Sequence, residues 1–231
     1  IEPVDNIPEK NLKEAEDIFG EKKNRLITVS RFDKRKNHEK IIMALRNLKE
    51  IYPDIIYVCI GYGDEEENVK KLVDQLGLSK QVIFMKNISN DLKNALVASS
   101  NIFVMPSIID KKSVEGFGIA FVEAAQFGIP SLGGKDGGAS DAIIHEKTGL
   151  ICDGNSLDEI YSSIDKLLKD RKYKDFGKIA KENSKKFHWD NIIEDGLTFN
   201  DLDWSANYLV SIYLLLDGRC VNVFISFSGK F

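Results

Sequence analysis

Charged residues are concentrated in one short segment near the start of the chain. Residues 31–36 read RFDKRK, so that five of the six residues carry a charge and four of these charges are positive. A diphosphate is well bound by a loop that presents both a fork-shaped guanidinium and a compact ammonium. Arg31 and Lys36 would supply these two groups. A solvated basic turn has the same composition. Because the segment directly follows the apolar run 26–29, diphosphate binding competes with the solvated turn as its interpretation.

Two glutamates enclose a glycine-containing turn at residues 115–123, which read EGFGIAFVE. Gly116 and Gly118 permit a ligand to come close, and the helix expected after them offers unpaired N–H groups to an anion. Glu123 falls about one turn into that helix, within reach of diol hydroxyls, whereas Glu115 belongs to the loop. A carboxylate removed from water needs a donor such as a sugar hydroxyl. The segment therefore favours a phosphate and sugar site, although an arbitrary E-x7-E pair is more often two exposed glutamates.

Two further glycine segments follow apolar runs. Gly61 and Gly63 follow the run 55–60, where they either let the backbone approach a ligand or simply form the turn. The acidic residues 64–67 that come next would repel a pyrophosphate, so this is not a dinucleotide fingerprint. Residues 133–141 read GGKDGGASD, and a loop that faces a phosphate or sugar is about as well supported there as a plain flexible loop.

Several familiar catalytic and metal-binding patterns are missing from the sequence. It contains no G-x-x-x-x-G-K-[ST], no G-x-S-x-G and no H-E-x-x-H. The three cysteines form no C-x-x-C pair, which argues against a disulfide framework or a zinc site and suits a reducing cytosol. The D-x-D at 201–203 follows no strand signal and is interpreted as chance. We therefore expect no metal ligands, and we expect the isolated histidines to be surface or packing residues: His38, His145 and His188.

Strand and helix signals alternate between residues 25 and 170. Short apolar runs at 26–29, 55–60, 82–85, 102–105, 129–132 and 149–152 predict strands, with helices of one apolar face between them. Asn37 and the S-x-x-E box of Ser156 and Glu159 predict helix starts, and Gly77 predicts a helix end. The alternation predicts an α/β fold, a doubly wound parallel sheet of Rossmann-like type. Such a sheet binds ligands at the carboxyl ends of its strands, where all four segments described above are placed.

The composition is that of an ordinary globular protein. The chain has 231 residues, of which 43% are hydrophobic and 29% charged, with a formal net charge of −4. This balance creates no basic field, so nucleic-acid binding is not expected. The longest apolar run, 208–216, is too short to cross a bilayer. After residue 197 the helical period is lost, and Asp217-Gly218 between two apolar runs predicts a hairpin.

Taken in order, these segments resemble the C-terminal, donor-binding domain of family-4 glycosyltransferases, which have the GT-B fold. The resemblance extends from about residue 25 to residue 197, roughly three quarters of the chain. It implies that 1–24 is a linker or the start of the domain, that 25–197 is the nucleotide-sugar domain, and that 198–231 is an atypical tail. The order and spacing of the matching segments are specific, although no single segment is: 30–36, 61–63, 82–85, 115–123, 127–130, 137–139 and 147–150.

The resemblance implies transfer of a hexose from a UDP- or GDP-sugar, with retention at the anomeric carbon and without a metal or other cofactor. Arg31 and Lys36 would neutralise the diphosphate and stabilise the leaving group. Glu115 would hold the donor hexose and Glu123 the ribose hydroxyls. The remaining donor-binding positions would be Gly61 and Gly63, then Met85 and Ile88 around the base, and Gly116, Phe117, Gly118 and Ile119 with their N–H donors.

The chain resembles most closely the bacterial family members that build lipid-linked glycans or surface polysaccharides. Such an enzyme would be cytoplasmic, and the full-length protein could associate peripherally with the inner face of the cell membrane. Two residues depart from the family pattern, since Asn37 replaces a usual Gly and Asp141 a frequent Glu. The acceptor-binding N-terminal domain is absent, and the tail does not resemble the helix that normally crosses back to it. We therefore expect a fragment with a non-native tail, incomplete for catalysis by itself.

Three other interpretations stay open. A nucleotide-sugar-binding module without transfer activity would use the same residues. A flavodoxin-type or receiver-type domain needs a flavin loop or an acidic cluster after the first strand, and the basic segment 31–36 disfavours it. A GT-B epimerase or phosphorylase shares the fold, but a phosphorylase needs a cofactor lysine that the sequence does not identify.

Overall fold

One parallel sheet organises the first part of the chain. The computed structural model describes residues 1–4, 6–111 and 113–188, together with the backbone of strands 210–216 and 219–225. Ile1–Asn191 form one compact unit and Ile192–Phe231 form another. The first unit contains strands β1 (Asn24–Val29), β2 (Ile55–Ile60), β3 (Val82–Met85), β4 (Ile102–Met105), β5 (Ser131–Gly134) and β6 (Gly149–Cys152). Their order is β3-β2-β1-β4-β5-β6 with every pairing parallel, which confirms the predicted doubly wound fold.

Helices cover both faces of this sheet. Successive residues of a strand point to opposite faces, and Leu26 and Ile27 of β1 accordingly belong to two separate hydrophobic clusters. The helices are α1 (Glu9–Phe19), α2 (His38–Ile51), α3 (Glu66–Gln75), α4 (Asn90–Ala98), α5 (Ile119–Gln126), α6 (Ala139–Ala142), α7 (Leu157–Leu168) and α8 (Tyr173–Ser184). One cluster contains residues of α2, α3 and α7, and the other contains residues of α1, α4 and α5. Every residue of β2 is buried, as a strand covered on both faces requires.

The predicted helix boundaries agree with the structure at all three positions. Ser156 begins α7, and its hydroxyl accepts a hydrogen bond from the Glu159 N–H at 3.2 Å. The Glu159 carboxylate accepts from the Asp153 N–H, so the reciprocal half of the capping box is displaced. Gly77, just beyond α3, has the left-handed φ of 63° that favours glycine. Asn37 is the N-cap residue of α2, which confirms the predicted helix start, but its side chain makes no hydrogen bond to that helix.

Residues 1–24, for which the sequence predicted no element, contain helix α1. Its apolar positions Ala15 and Phe19 are buried against the sheet, while Leu12 stays partly exposed. The spacing of these residues is helical, but glutamates and lysines dilute the apolar stripe. The helix therefore adds a packed element to one face of the sheet.

The second unit contains an antiparallel pair of strands. Strands β7 (Val210–Leu216) and β8 (Arg219–Ile225) pair with Leu216 opposite Arg219, which confirms the predicted hairpin. The expected turn residues Asp217 and Gly218 lie outside the described residues, as do the D-x-D at 201–203 and the boundary at 197–198. Among the helices described, none combines the length and the apolarity that crossing a bilayer demands.

Candidate functional site

Two of the three residues predicted to be catalytic, Lys36 and Glu115, meet where the winding of the sheet reverses; the third is Arg31. Lys36 follows β1 and Glu115 lies in the loop after β4, and these two strands are neighbours in the sheet. The Lys36 Nζ lies 2.6 Å from the Glu115 Oε2. This edge of a doubly wound sheet is where ligands bind. The contact therefore unites two separately predicted motifs at the expected ligand site.

Glu115 is held by three donors that converge on one of its oxygens. Besides Lys36, the Arg35 Nη1 lies 2.5 Å from Oε2 and the Ser107 hydroxyl lies 3.3 Å from it. Glu115 is only 8% exposed, so these donors replace the water that its charge would otherwise need. Within the described part of the chain, no group donates to the other oxygen, Oε1. The carboxylate is thus anchored on one side and has acceptor capacity on the other.

A short 3₁₀ turn, Lys34–Lys36, presents both cations to this carboxylate. The Asp33 side chain caps the turn by accepting from the Lys36 N–H at 3.1 Å. The Arg35 carbonyl accepts from the Ile108 N–H at 2.9 Å, which ties the turn to the loop after β4. The Arg35 Nη2 lies 3.7 Å from the Asp33 Oδ2. The loops after β1 and β4 are therefore joined by the backbone as well as by charges.

Arg31 lies in the same loop as Lys36 but stands apart from the cluster. Its side chain is exposed, and it forms no hydrogen bond or ion pair with any residue that the structure describes. The backbone around it is fixed, because the Ser30 N–H donates to Ile60 and the Phe32 N–H donates to Tyr62. A fixed backbone with an uncommitted guanidinium suits the capture of an anion from solvent.

Gly61 and Gly63 are required by the contact between two loops. A Cβ added to Gly61 would overlap the Ser30 carbonyl oxygen, and one added to Gly63 would overlap that of Phe32. Gly61 has a φ of 147° and Gly63 a φ of 158°, and residues with a side chain rarely adopt such positive values. Packing of the loop after β2 against the loop after β1 accounts for both residues, and their contact with a ligand stays a prediction.

A buried polar chain lies beneath the basic loop. The His38 Nε2 is 3.1 Å from the Ser30 hydroxyl, its Nδ1 is 3.0 Å from the Tyr57 hydroxyl, and Tyr57 is 2.7 Å from the Thr28 hydroxyl. The imidazole also stacks on Phe32 with 4.2 Å between ring centroids. Burial lowers the pKa of His38 to about 4, so the ring is neutral at pH 7. His38 is thus a packing residue, as predicted.

Asn37 also has a positioning role that the sequence did not reveal. It adopts the left-handed conformation with φ of 63°. Its side-chain amide donates to the Pro106 carbonyl at 2.9 Å and to the Gly154 carbonyl at 2.8 Å. Asparagine tolerates this conformation better than most residues. The side chain therefore links the loops that follow β1, β4 and β6.

The segment from Gly116 to Ile119 leads into α5 with its N–H groups unused. Gly118 begins the helix with φ of 76° and no side-chain cap. In the described part of the chain, no N–H of residues 116–119 donates a hydrogen bond to protein. A Cβ added to Gly116 would meet nothing within 4 Å, so open space lies beside it. This arrangement suits an anion at the helix N-terminus.

The neighbouring side chains of this segment are partly exposed. Phe117 packs edge-on against Phe187, with 5.4 Å between ring centroids, and Ile119 is 57% exposed. Gly137 and Gly138 of the glycine-rich loop lie against the backbone of Glu115 and Gly116, where a Cβ would not fit. Close packing therefore explains these two glycines.

Glu123, Met85 and Ile88, which the sequence predicted to bind the donor, lie outside the ion pairs of Glu115. Glu123 is on α5, half exposed, with a carboxylate oxygen 3.9 Å from the Lys93 Nζ on α4. The Met85 carbonyl accepts from the Gly61 N–H at 2.9 Å. Met85 and Ile88 are partly buried against the cluster that contains α4 and α5. No hydrogen bond or ion pair connects these three residues to Lys36 or Glu115 among the residues described.

Sequence reasoning overlooked Arg35 and Ser107. Arg35 was part of the basic segment, but composition alone could not separate it from its neighbours. Ser107 carried no signal. Only the closure of the loop after β4 onto the 3₁₀ turn identifies both as partners of Glu115.

The fold is a doubly wound α/β domain, and its candidate ligand site lies at the sheet edge between β1 and β4. The chain belongs to the glycosyl transferases group 1 family, whose model matches residues 9–183. A GDP-mannose-dependent alpha-(1-6)-phosphatidylinositol monomannoside mannosyltransferase of Mycobacterium tuberculosis is 32% identical over 148 residues. That match covers 63% of this chain and 38% of the relative, so the chain corresponds to well under half of the relative's length.

Solved structures share the fold. The C-terminal domain of a group 1 glycosyl transferase from Francisella tularensis matches with a TM-score of 0.67 and 23% identity, over 81% of this chain and 96% of that one. Anabaena HepE, solved in complex with UDP and glucose, matches with a TM-score of 0.69 and 19% identity, over 81% of this chain and 51% of that one. At these identities the likeness concerns the fold alone.

Proposed function

We propose that this chain binds a nucleotide-diphosphate sugar and serves as the donor half of a retaining hexosyltransferase in glycolipid or surface polysaccharide synthesis. The observation that carries the proposal is the Lys36–Glu115 contact at the ligand-binding edge of the sheet. A diphosphate needs cations and a hexose needs hydroxyl acceptors, and this contact brings one of each together. Membership of the glycosyl transferase family supports the same assignment.

The proposed roles follow from charge and position. Arg31 and Lys36 neutralise the diphosphate, and the N–H groups of residues 116–119 add donors at the start of α5. Glu115 accepts from the hexose, Glu123 from the ribose hydroxyls, and the backbone around Met85 and Ile88 frames the base. As the bond from the anomeric carbon to the diphosphate breaks, the electron pair leaves with the diphosphate, whose growing charge the cations stabilise. The acceptor oxygen bonds to the same carbon on the face that the diphosphate leaves, and its proton passes to the departing diphosphate oxygen. This scheme uses side-chain cations and includes no metal.

Relatives guide the choice of donor. The mycobacterial relative is named as GDP-mannose-dependent, and HepE was solved with UDP and glucose. GDP-mannose is therefore the first donor to test, with UDP-sugars second. We place the reaction in the cytoplasm, with a lipid-linked acceptor at the inner face of the membrane, and we assign acceptor binding to a second domain.

Calorimetry with UDP, GDP and ADP tests donor binding. The chain should bind one of the first two in the presence of EDTA, and Glu123→Ala should weaken binding by roughly 1–3 kcal/mol, the scale of a hydrogen bond to a charged group. Arg31→Ala should weaken it too and reduce its dependence on salt. Glu50→Ala is the matched control, because Glu50 is exposed near the end of α2, toward the opposite edge of the sheet. Absence of nucleotide binding, or variants that both bind like the parent, would contradict the proposal.

Product analysis tests the transfer. The chain, alone and together with a separately produced acceptor-binding domain, is incubated with GDP-mannose or a UDP-hexose and a lipid-linked acceptor. NMR of the product should show the anomeric configuration of the donor. An inverted product would refute retention, and nucleotide binding with no transfer under either condition would favour a binding module.

A further inference from the structure

The proposed function leaves Arg35 unused, although this residue makes a short contact to the site. Its Nη1 lies 2.5 Å from the Glu115 Oε2, the same oxygen that the Lys36 Nζ approaches to 2.6 Å. Two cations thus share one oxygen of a carboxylate that is only 8% exposed. One ammonium would suffice to neutralise Glu115, so the second cation requires a reason.

We propose that Arg35 is a positioning residue that neutralises Glu115 and thereby leaves the charge of Lys36 available to the diphosphate. This inference rests on the proposed function. Without Arg35, the buried carboxylate would have Lys36 as its only cation and would hold the ammonium firmly, since a buried charge without a partner is costly. With Arg35 in place, Glu115 keeps a partner when Lys36 moves toward a phosphate.

The tethering of the two cations indicates which of them moves. The Arg35 guanidinium reaches Glu115 with Nη1 and lies 3.7 Å from Asp33 with Nη2, and its carbonyl accepts from the Ile108 N–H. Lys36 has the flexible stem and compact charge of a lysine, and its second contact is to the Met105 sulfur at 3.4 Å. A thioether is a weak acceptor. Lys36 therefore loses little by exchanging Glu115 for a phosphate, while Arg35 stays anchored.

Occupation of Oε2 also fixes the direction of the carboxylate. Arg35, Lys36 and the Ser107 hydroxyl all approach this one oxygen. The other oxygen, Oε1, receives no donor from the described residues and keeps its capacity for a hexose hydroxyl. Through its one contact to Oε2, Arg35 thus leaves Lys36 available to the diphosphate of the donor and Oε1 available to its hexose.

A double-mutant cycle on nucleoside diphosphate binding tests this role. Calorimetry is run with the tighter of UDP and GDP on the parent, R35M, E115Q and R35M/E115Q, with K34M as the control. Lys34 lies in the same turn, is exposed, and its side chain makes no hydrogen bond or ion pair with any residue the structure describes, so K34M removes an equal charge without removing a bond to Glu115. R35M should weaken binding by about tenfold, the scale of a lost interaction with a charged group. In the E115Q background R35M should change binding by less than about twofold, because no carboxylate remains to retain Lys36.

Other outcomes would overturn the inference. Equal losses from R35M in both backgrounds would mean that Arg35 contacts the diphosphate directly, and equal losses from R35M and K34M would mean a general charge effect. R35K keeps the charge and should restore binding to within about threefold of the parent. An R35K protein that folds but binds as weakly as R35M would reject the charge argument. If the parent binds no nucleotide, the proposed function fails. If the parent binds and the losses are additive, only the role of Arg35 fails.

Discussion

The Lys36 ammonium and the Glu115 carboxylate lie 2.6 Å apart although 79 positions separate them in the chain. Each belongs to a loop that leaves the carboxyl end of a strand, and the two strands are the neighbours between which the winding reverses. A buried ion pair contributes little net stability, because desolvation offsets most of its attraction. Its position at the ligand edge of the sheet therefore points to function rather than to stability.

Replacement of Lys36 by methionine should weaken diphosphate binding while the fold persists. Arg35 and Ser107 still contact the Glu115 carboxylate, so the buried charge keeps donors. We expect a loss of roughly 1–3 kcal/mol, the scale of a hydrogen bond to a charged group. Calorimetry at low and high salt should show a weaker salt dependence than in the parent. K34M is the control, and a K36M protein that binds like K34M would exclude Lys36 from the site.

Much of the fold could be predicted because its signals are local. The apolar run of β2 indicated a strand covered on both faces, and the Ser156 cap and Gly77 marked helix ends from residue type alone. Helix α1 was not predicted, because Ala15 and Phe19 are its main buried apolar residues and charges surround them. Its stability comes from packing against the sheet, which no local pattern records.

The site was predicted in its parts and not in its assembly. Lys36 and Glu115 were identified because each follows a strand, but their contact depends on the order of β1 and β4 in the sheet. Arg35 was not separable from Lys34, since only the three-dimensional course of the 3₁₀ turn decides which side chain faces Glu115. Asn37 was predicted to begin α2 because asparagine is a preferred N-cap residue. Its left-handed backbone and its side-chain bonds to Pro106 and Gly154 could not be derived from the residue type.

Two glycine-to-alanine substitutions should separate folding from binding. Gly61→Ala should strongly destabilise the protein, because the new Cβ would overlap the Ser30 carbonyl at a backbone conformation that alanine avoids. Gly116→Ala should leave stability within about 0.5 kcal/mol, since open space surrounds that position and its φ is not in the left-handed region. Nucleoside diphosphate affinity of Gly116→Ala should nevertheless fall if the 116–119 backbone contacts the phosphates. Thermal unfolding and calorimetry on both variants measure this contrast, and equal stability losses would contradict it.

Asn37 offers a test of the link between three loops. Asn37→Gly loses two side-chain hydrogen bonds but relieves the left-handed conformation, so it should cost about 1 kcal/mol. Asn37→Ala loses the same bonds and keeps the backbone strain, so it should cost about 2–3 kcal/mol. Urea denaturation of the two variants gives the comparison. An alanine variant as stable as the glycine variant would contradict the left-handed conformation at this position.

The buried imidazole of His38 should make stability fall in mild acid. Burial lowers its pKa from 6.5 to about 4, so the unfolded chain binds the proton more readily than the folded chain does. The stabilisation is therefore complete above about pH 6.5 and is lost as the pH falls toward 4, with a total loss of roughly 3 kcal/mol. Denaturant unfolding between pH 7 and pH 4 should show a shallower decline for His38→Gln than for the parent. His145→Gln, at a half-exposed site, is the control and should follow the parent. A His38→Gln protein whose free energy of unfolding declines as steeply as that of the parent would show that His38 does not cause the acid sensitivity.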